Sequence, residues 1–200
     1  MTRIKLCGLT RLHDILIVNE LKPEYIGFVF AAKSRRCIST AEAAALKEKL
    51  NPDITAVGVF VDEDPETVKT LLHKGIIDMV QLHGNEDEEY IRDIQAAADR
   101  PVIKAFRMES LQDVKRAAES SADFVLLDSG AGGSGTVFDW NLLRTVRRPY
   151  FLAGGLNADN VNAAVKKLNP YGVDVSSGIE TDGFKDEYKI RKFIKAVRGE

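Results

Sequence analysis

Two residues that could transfer protons each stand at the end of a short β-rich run. Cys7 ends the run at 4–7, within the segment KLCGLT, and Asp128 ends the run FVLLD at 124–128. A thiolate can act as a base or a nucleophile, and a carboxyl group can act as a general acid or base. The alternatives are that Cys7 is a small buried hydrophobic residue and that Asp128 begins a turn.

Lys5 bears on the chemistry of Cys7. Side chains alternate along a strand, so Lys5 and Cys7 face one side while Ile4 and Leu6 face the other. A neighbouring ammonium group favours a thiolate over a thiol. We therefore expect Lys5 to lower the pKa of Cys7.

Two glycine-containing segments follow later β-rich runs. AGGLN contains Gly154 and Gly155, and VSSGIE contains Ser177 and Gly178. Backbone N–H groups in such turns, together with the N-terminus of a short helix, can bind phosphate. A single Gly-Gly pair is usually only a turn, but two such segments after consecutive runs favour a phosphate site. The predicted substrate is a phosphorylated small molecule.

Two further segments place polar side chains after β-rich runs. KSRR, at 33–36, is either a solvated basic turn or a source of arginine for two hydrogen bonds to a carboxylate. QLHG, at 81–84, puts Gln81 and His83 on one side of the chain. A single histidine is more often structural than catalytic, and His83 is retained as a candidate for substrate binding.

The elements that must position these residues alternate along the chain. Helical spacing occurs at 41–50, 65–75 and 186–197, between β-rich runs. Repeated βα units predict a parallel sheet, and eight of them predict a closed (β/α)₈ barrel (a TIM barrel) as one compact domain over residues 1–200. The rival is an open doubly wound sheet, which normally has a glycine-rich fingerprint after its first strand. The predicted strands are 4–7, 25–30, 56–61, 79–82, 102–106, 124–128, 150–154 and 172–176.

The barrel prediction also brings the candidates together. Active sites of such barrels lie at the carboxyl ends of the strands, where Cys7 and Asp128 stand. Asp174, near the end of the eighth predicted strand, would lie beside the first strand. We expect its carboxylate to pair with Lys5 and help to organise Cys7.

The overall composition excludes several classes of protein. The formal net charge is −2 with no long run of one sign, which argues against a nucleic-acid partner or a polybasic membrane surface. The first 14 residues lack a secretory pattern, and no apolar run approaches the roughly 18 residues of a membrane span, so we expect a cytoplasmic protein. Two cysteines do not suggest a disulfide framework, and no metal-binding motif is evident.

Taken together, the motifs resemble those of a known enzyme family. From residue 4 to about 180 the chain is similar to the phosphoribosylanthranilate isomerases of tryptophan biosynthesis. The segments that carry the resemblance, in order, are KLCGLT, GFVF, KSRR, VGVF, VQLHG, LLDS, GGSGTVFDW, AGGLN and DVSSGIE.

This resemblance implies an Amadori rearrangement of an N-(5-phosphoribosyl)anthranilate to the corresponding 1-deoxyribulose 5-phosphate. It implies Asp128 as the general acid at the furanose oxygen and Cys7, as thiolate, as the base that removes the C2′ proton. Asp128 must then hold a proton near neutral pH, which requires desolvation or a nearby negative charge. No metal or redox cofactor is implied.

The resemblance also implies how the substrate is held. Arg36 matches the position that binds the anthranilate carboxylate, and the phosphate would meet Gly154, Gly155, Ser177 and Gly178. Gly133 and Gly135 lie in the glycine-rich segment after the sixth strand, which is the candidate lid. A monomer and a homodimer are both compatible with the sequence.

Some features depart from the family pattern, and other functions compete with it. Ala31, Ala32 and Cys37 flank the basic turn where the family often has aromatic residues and a proline, so the anthranilate pocket is expected to be built differently. Cys37 could also approach Cys7 and pair with it on oxidation.

Three other functions compete with this one. A sugar-phosphate epimerase would bring several metal-binding histidines, and an indole-glycerol-phosphate synthase-like lyase would need lysine and glutamate at strand ends. A phosphate-binding sensor would not need both Cys7 and Asp128. The related dual-specificity isomerase has an aspartate at the end of the first strand, so Cys7 at this position argues against dual specificity.

Overall fold

Eight parallel strands form a closed barrel in the computed structural model, which describes residues 1–128 and 142–199. Each strand pairs with the next along the chain, and β1 closes the ring by pairing with β8. The (β/α)₈ prediction is confirmed, and the open-sheet alternative is wrong because the first and last strands are hydrogen-bonded. The strands are β1 Arg3–Cys7, β2 Tyr25–Val29, β3 Thr55–Phe60, β4 Met79–Leu82, β5 Val102–Arg107, β6 Phe124–Asp128, β7 Tyr150–Ala153 and β8 Gly172–Val175.

Helices surround this barrel. Several begin at a residue whose side chain caps the first turn. The Ser39 side chain accepts a hydrogen bond from the backbone N–H of Glu42. The side chain of Asp64, which precedes Pro65, accepts one from the backbone N–H of Thr67. The predicted helices at 41–50, 65–75 and 186–197 are present, and their ends differ from the predicted ones by at most three residues. In the described ranges the α-helices are α1 Leu12–Leu21, α2 Thr40–Lys47, α3 Pro65–His73, α4 Glu88–Ala98, α5 Leu111–Glu119, α6 Val161–Leu168 and α7 Glu187–Arg198.

The barrel interior is filled below the site. Phe151 is fully buried, and its ring makes edge contacts with the rings of Tyr25, Phe124 and Tyr171. A β-carbon at Gly172 would lie 2.6 Å from the Phe151 ring, so glycine makes room for it. The interior is thus a packed core with its opening at the carboxyl ends of the strands.

The connection from β8 to α7 carries extra structure. A short 3₁₀ helix, Ser177–Ile179, leads into a small antiparallel hairpin of β9 Glu180–Thr181 and β10 Phe184–Lys185. This hairpin lies close to the site, as described below. None of the helices in the described parts of the chain has both the length and the apolar composition needed to cross a membrane.

Candidate active site

A cavity of about 960 Å³ opens at the carboxyl ends of the strands. It brings together most of the residues proposed from the sequence. Gly178 lies just outside the lining, and Gly133 and Gly135 lie outside the described residues, as does the candidate lid. The predicted residues that line the cavity are Cys7, Arg36, His83, Asp128, Gly154, Gly155, Asp174 and Ser177.

Cys7, Lys5 and Asp174 form a buried group on one side of the cavity. Lys5 is 0% exposed, and its Nζ donates a hydrogen bond to Asp174 Oδ1 at 2.8 Å. The Lys5–Asp174 ion pair expected from the sequence is thus present. The Lys5 ammonium group also interacts electrostatically with the Cys7 side chain. A β-carbon at Gly27, on the neighbouring strand, would lie 2.7 Å from Cys7 Sγ and 3.3 Å from Lys5 Nζ, so glycine leaves space for this contact.

The protonation of Cys7 differs from the sequence-based expectation. Burial raises the pKa of the Cys7 thiol, and the Lys5 ammonium opposes this without overcoming it. Lys5 acts in the expected direction, but the net shift is upward because the thiol is buried, and a sequence does not reveal how completely a thiol is removed from water. The pKa of Lys5 is raised even though burial lowers it, because Asp174 and Cys7 favour its charged form. The resting pair is therefore an ammonium group beside a thiol.

Asp128 lies across the barrel from Cys7. It ends β6, three strands from β1 around the closed ring, and is half-buried. Its backbone carbonyl accepts a hydrogen bond from Met108, which fixes the end of the strand. A molecule in the cavity can thus meet a thiol on one side and a carboxyl group on the other.

His83 and Gln81 lie on the wall nearest β4. Gln81 Nε2 donates to His83 Nδ1 at 3.0 Å, which leaves the proton of a neutral His83 on Nε2. Loss of hydration lowers the pKa of His83, and the neighbouring carboxyl groups of Asp128 and Asp174 only partly offset this. Within the described part of the chain, Gln81 Oε1 is buried and has no hydrogen-bond partner. His83 is therefore a neutral polar group beside Asp128.

Arg36 reaches the cavity from the β2–α2 loop and is held by a residue that sequence reasoning missed. Glu180 accepts from Arg36 Nε at 2.6 Å and from Nη2 at 2.9 Å. The glutamate side chain is only 4% exposed, and its hydrogen bonds with Arg36 and Lys185 overcome the effect of burial and lower its pKa to about 2. The ionised carboxylate therefore remains paired at neutral pH. The available signal was an acidic residue directly after SSGI and a lysine five positions later.

Lys185, also missed, connects this ion pair to the strand end that carries Cys7. Its Nζ donates to Glu180 Oε1 at 2.6 Å and to the backbone carbonyl of Ser176 at 3.0 Å. The Ser176 hydroxyl in turn donates to the backbone carbonyl of Cys7 at 3.0 Å. The hairpin after β8 thus fixes both the arginine and the end of β1.

The two glycine-containing segments predicted to bind phosphate are packed against each other. Gly154 and Gly155 have φ angles of 97° and 61°, which favour glycine. A β-carbon at Gly178 would lie 1.9 Å from the backbone oxygen of Leu156, so a larger residue there would separate the segments. The turn after β7 and the 3₁₀ helix that includes Ser177 therefore form one rim of the cavity.

Cys7 and Cys37 are not joined by a disulfide bond. Cys37 is exposed and Cys7 is buried, and both are free thiols. Ala31 packs, partly buried, against Cys7, Val29 and Val59. No group of three or more histidine, cysteine, aspartate or glutamate side chains that could hold a metal ion occurs in residues 1–128 and 142–199.

Comparison with known proteins identifies the family. The family model described as N-(5'phosphoribosyl)anthranilate (PRA) isomerase matches residues 4–196. The chain belongs to the PRA isomerase family. It is thus an isomerase, and the resemblance found from its motifs is confirmed.

Named PRA isomerases match along nearly their whole length. The chain is 47% identical over 202 residues to N-(5'-phosphoribosyl)anthranilate isomerase of Endomicrobium trichonymphae, covering 99% of each chain. It is 47% identical over 206 residues to the enzyme of Clostridium acetobutylicum, covering 99% of this chain and 98% of that one.

Solved PRA isomerase structures have the same fold. The enzyme from Thermotoga maritima superposes with a TM-score of 0.90 at 40% identity, with all of both chains covered. A PRA isomerase structure in complex with reduced 1-(o-carboxyphenylamino)-1-deoxyribulose 5-phosphate matches with a TM-score of 0.88 at 39% identity, again over all of both chains.

Proposed function

We propose that this chain converts N-(5-phosphoribosyl)anthranilate to 1-(2-carboxyphenylamino)-1-deoxyribulose 5-phosphate, as a step of tryptophan biosynthesis, with Asp128 as general acid and Cys7 as general base. The observation that carries the proposal is that both groups lie at the carboxyl ends of their strands, on opposite sides of one cavity. A related structure holds a reduced form of the proposed product, which supports the same substrate class here.

The reaction begins with opening of the sugar ring. Asp128, in its protonated form, gives its proton to the furanose oxygen while the bond from that oxygen to C1′ breaks. The lone pair of the anthranilate nitrogen forms a double bond to C1′, which produces a protonated Schiff base. The positive nitrogen makes the C2′–H bond acidic, so a moderately basic group suffices for the next step.

The second step removes the proton from C2′. The fraction of Cys7 that is ionised to the thiolate takes this proton, and the electron pair of the C–H bond forms a C1′–C2′ double bond and neutralises the nitrogen. The resulting enolamine tautomerises to the ketone, with a proton gained at C1′ and one lost from the C2′ hydroxyl. Lys5, held by Asp174, stabilises the thiolate during this step.

The remaining residues hold the substrate. The Arg36 guanidinium is assigned to the anthranilate carboxylate, and the rim formed by Gly154, Gly155, Ser177 and Gly178 is assigned to the phosphate, where backbone N–H groups can donate. His83 is assigned as a neutral donor near the ring-opening step, and Asp174 as the group that holds Lys5. The roles of Gly133 and Gly135 in a lid over the phosphate remain part of the proposal because both lie outside the described residues.

The test is turnover of substrate generated in situ, followed by the loss of anthranilate-type fluorescence. Cys7→Ser and Asp128→Asn keep the side-chain shapes and should each lower kcat by about 10²- to 10⁴-fold, the usual contribution of one acid or base. Matched controls are Cys37→Ala and Asp53→Ala, which change an exposed cysteine and an exposed aspartate outside the cavity. Wild-type activity no faster than the uncatalysed background, or full activity in either site variant, would contradict the proposal.

A further inference from the structure

Three cationic side chains surround the single carboxylate of Glu180. Its two carboxylate oxygens accept four hydrogen bonds, from Arg35, Arg36 and Lys185, at 2.6 to 2.9 Å. Three cations around one anion leave an excess of positive charge next to the cavity. An additional anion at this position is therefore favoured.

The geometry of the contact leaves one edge of Arg36 available to a ligand. Glu180 engages Nε and Nη2, which form one edge of the planar guanidinium. Within the described residues, no hydrogen bond engages Nη1. The edge formed by Nη1 and the second Nη2 hydrogen can thus bind a carboxylate through two parallel hydrogen bonds. Arg36 lines the cavity, so this edge is within reach of a molecule bound there.

The stem of Arg36 is also fixed. A β-carbon at Gly8 would lie 2.4 Å from Arg36 Cδ and 3.3 Å from its Cβ and Cγ, so the stem lies directly across the turn that follows Cys7. Gly8 has a φ of 79°, which independently favours glycine. Arg36 is therefore held at its stem by the β1–α1 turn and at its head by Glu180.

We propose that Glu180 is the positioning residue that orients Arg36 toward the carboxylate of the substrate's aromatic ring, and thereby sets the preference for a carboxylated arylamine. The proposal rests on the proposed function, in which Arg36 binds that carboxylate. Glu180 itself does not touch the substrate. Lys185 supports it from the opposite strand of the hairpin, where residues 185 and 180 are paired in register.

A positioning role differs from a purely structural one in the substrate it affects. If Glu180 only stabilised the hairpin, its loss would slow all substrates alike. If it orients Arg36, its loss should slow the carboxylated substrate selectively, since a substrate without the carboxylate does not use Arg36. The measured quantity is the ratio of kcat/KM for N-(5-phosphoribosyl)anthranilate to kcat/KM for the analogue made from aniline.

The experiment compares this ratio in wild type, Glu180→Gln and Arg36→Met. We expect Glu180→Gln to lower the ratio about tenfold, mainly through KM for the carboxylated substrate, because the loss of the charge-assisted hydrogen bonds that orient Arg36 outweighs the gain in net positive charge. In an Arg36→Met background, Glu180→Gln should change the ratio little further, because its effect passes through Arg36. Glu187→Gln is the matched control, since Glu187 pairs with Arg191 on α7 and lies outside the cavity lining.

The outcomes distinguish failure of the proposed isomerase function from failure of the positioning role of Glu180. No wild-type turnover refutes the proposed function itself. A ratio that falls in Arg36→Met but stays unchanged in Glu180→Gln refutes the role of Glu180 and leaves the function standing, as does an equal loss for both substrates. Should Glu180→Gln fail to fold, Glu180→Asp serves instead. Its carboxylate is one methylene shorter and cannot keep both contacts with Arg36, so the same fall in the ratio is expected and an unchanged ratio overturns the role.

Discussion

The effect of Lys5 on Cys7 can be measured directly by removing its charge. Lys5→Met deletes the ammonium group that favours the Cys7 thiolate and leaves the Asp174 carboxylate in place. A nearby cation favours the thiolate and a nearby anion disfavours it, so loss of the Lys5 charge raises the pKa of Cys7. Asp174→Asn removes the anion instead and should lower that pKa.

The size of the shift follows from the geometry. Two unit charges in hydrogen-bond contact interact by about 4 kcal/mol at an effective dielectric constant of about 20, which sets an upper limit of about three pKa units. Lys185 also acts on Cys7 and remains in place, so we expect an increase of about one to three units. At a fixed pH below the pKa, the thiolate population then falls by about tenfold for each unit.

The assay is alkylation of Cys7 by iodoacetamide as a function of pH, followed by mass spectrometry. It is made in a Cys37→Ser background because Cys37 is an exposed thiol that would also react. The midpoint of the rate should move to higher pH in Lys5→Met and to lower pH in Asp174→Asn. A shift in the same direction in both variants, or no shift in either, would show that the charges of Lys5 and Asp174 do not set the pKa of Cys7.

Folding of these variants is checked separately. Removing one partner of a buried ion pair commonly costs about 3 to 5 kcal/mol, because the other charge is left in a poorly solvated place. Urea denaturation establishes whether Lys5→Met remains folded under the alkylation conditions. If it does not, Asp174→Asn still tests the sign, since its predicted shift is opposite.

Two further substitutions test contacts around the site. Lys104→Met should lower the free energy of unfolding by about 3 to 5 kcal/mol, measured by urea denaturation. The side chain of Glu86 is only 1% exposed and would lose the ammonium group 2.6 Å away. An unchanged midpoint would show that the backbone N–H groups of Asp62 and Gly84 satisfy Glu86 on their own. Gly8→Ala should lower the free energy of unfolding by about 1 to 3 kcal/mol, measured by thermal denaturation, because a φ of 79° is strained for an L-residue. It should also raise KM for the carboxylated substrate, because the new β-carbon meets the Arg36 stem. A loss of stability with an unchanged KM would mean that the stem can move without disturbing the guanidinium.

The sequence predicted the barrel because its pattern repeats. Each strand was a short β-rich run of four to six residues between turn signals, and the observed bounds differ from the predicted ones by at most one residue. Cys7 and Asp128 were found for the same reason, since each is a chemically distinctive residue at the end of such a run. The Lys5–Asp174 pair could also be predicted, because closing a ring of eight strands puts the first beside the last.

The rest depended on information that a local pattern does not contain. Glu180 and Lys185 lie in strands of only two residues each, too short to show an alternation, and their partners are distant in the chain. The direction of the Cys7 pKa shift depends on how completely the folded protein excludes water from the thiol. The contact of Gly8 with the Arg36 stem likewise exists only when the β1–α1 turn and the β2–α2 loop are brought together.

The contacts that organise Cys7 and Arg36 include several that cross the seam where the barrel closes. The Lys5–Asp174 and Ser176–Cys7 hydrogen bonds each join residues 169 positions apart, and the Arg36–Glu180 contact spans 144. A fragment ending before β8 contains Cys7, Lys5 and Arg36 but lacks Asp174, which pairs with Lys5, and Glu180, which holds the Arg36 guanidinium. Completion of the ring and assembly of the reactive groups are therefore the same event, and a partly folded chain, or one synthesised only through its first seven strands, carries a cysteine and an arginine without an organised site.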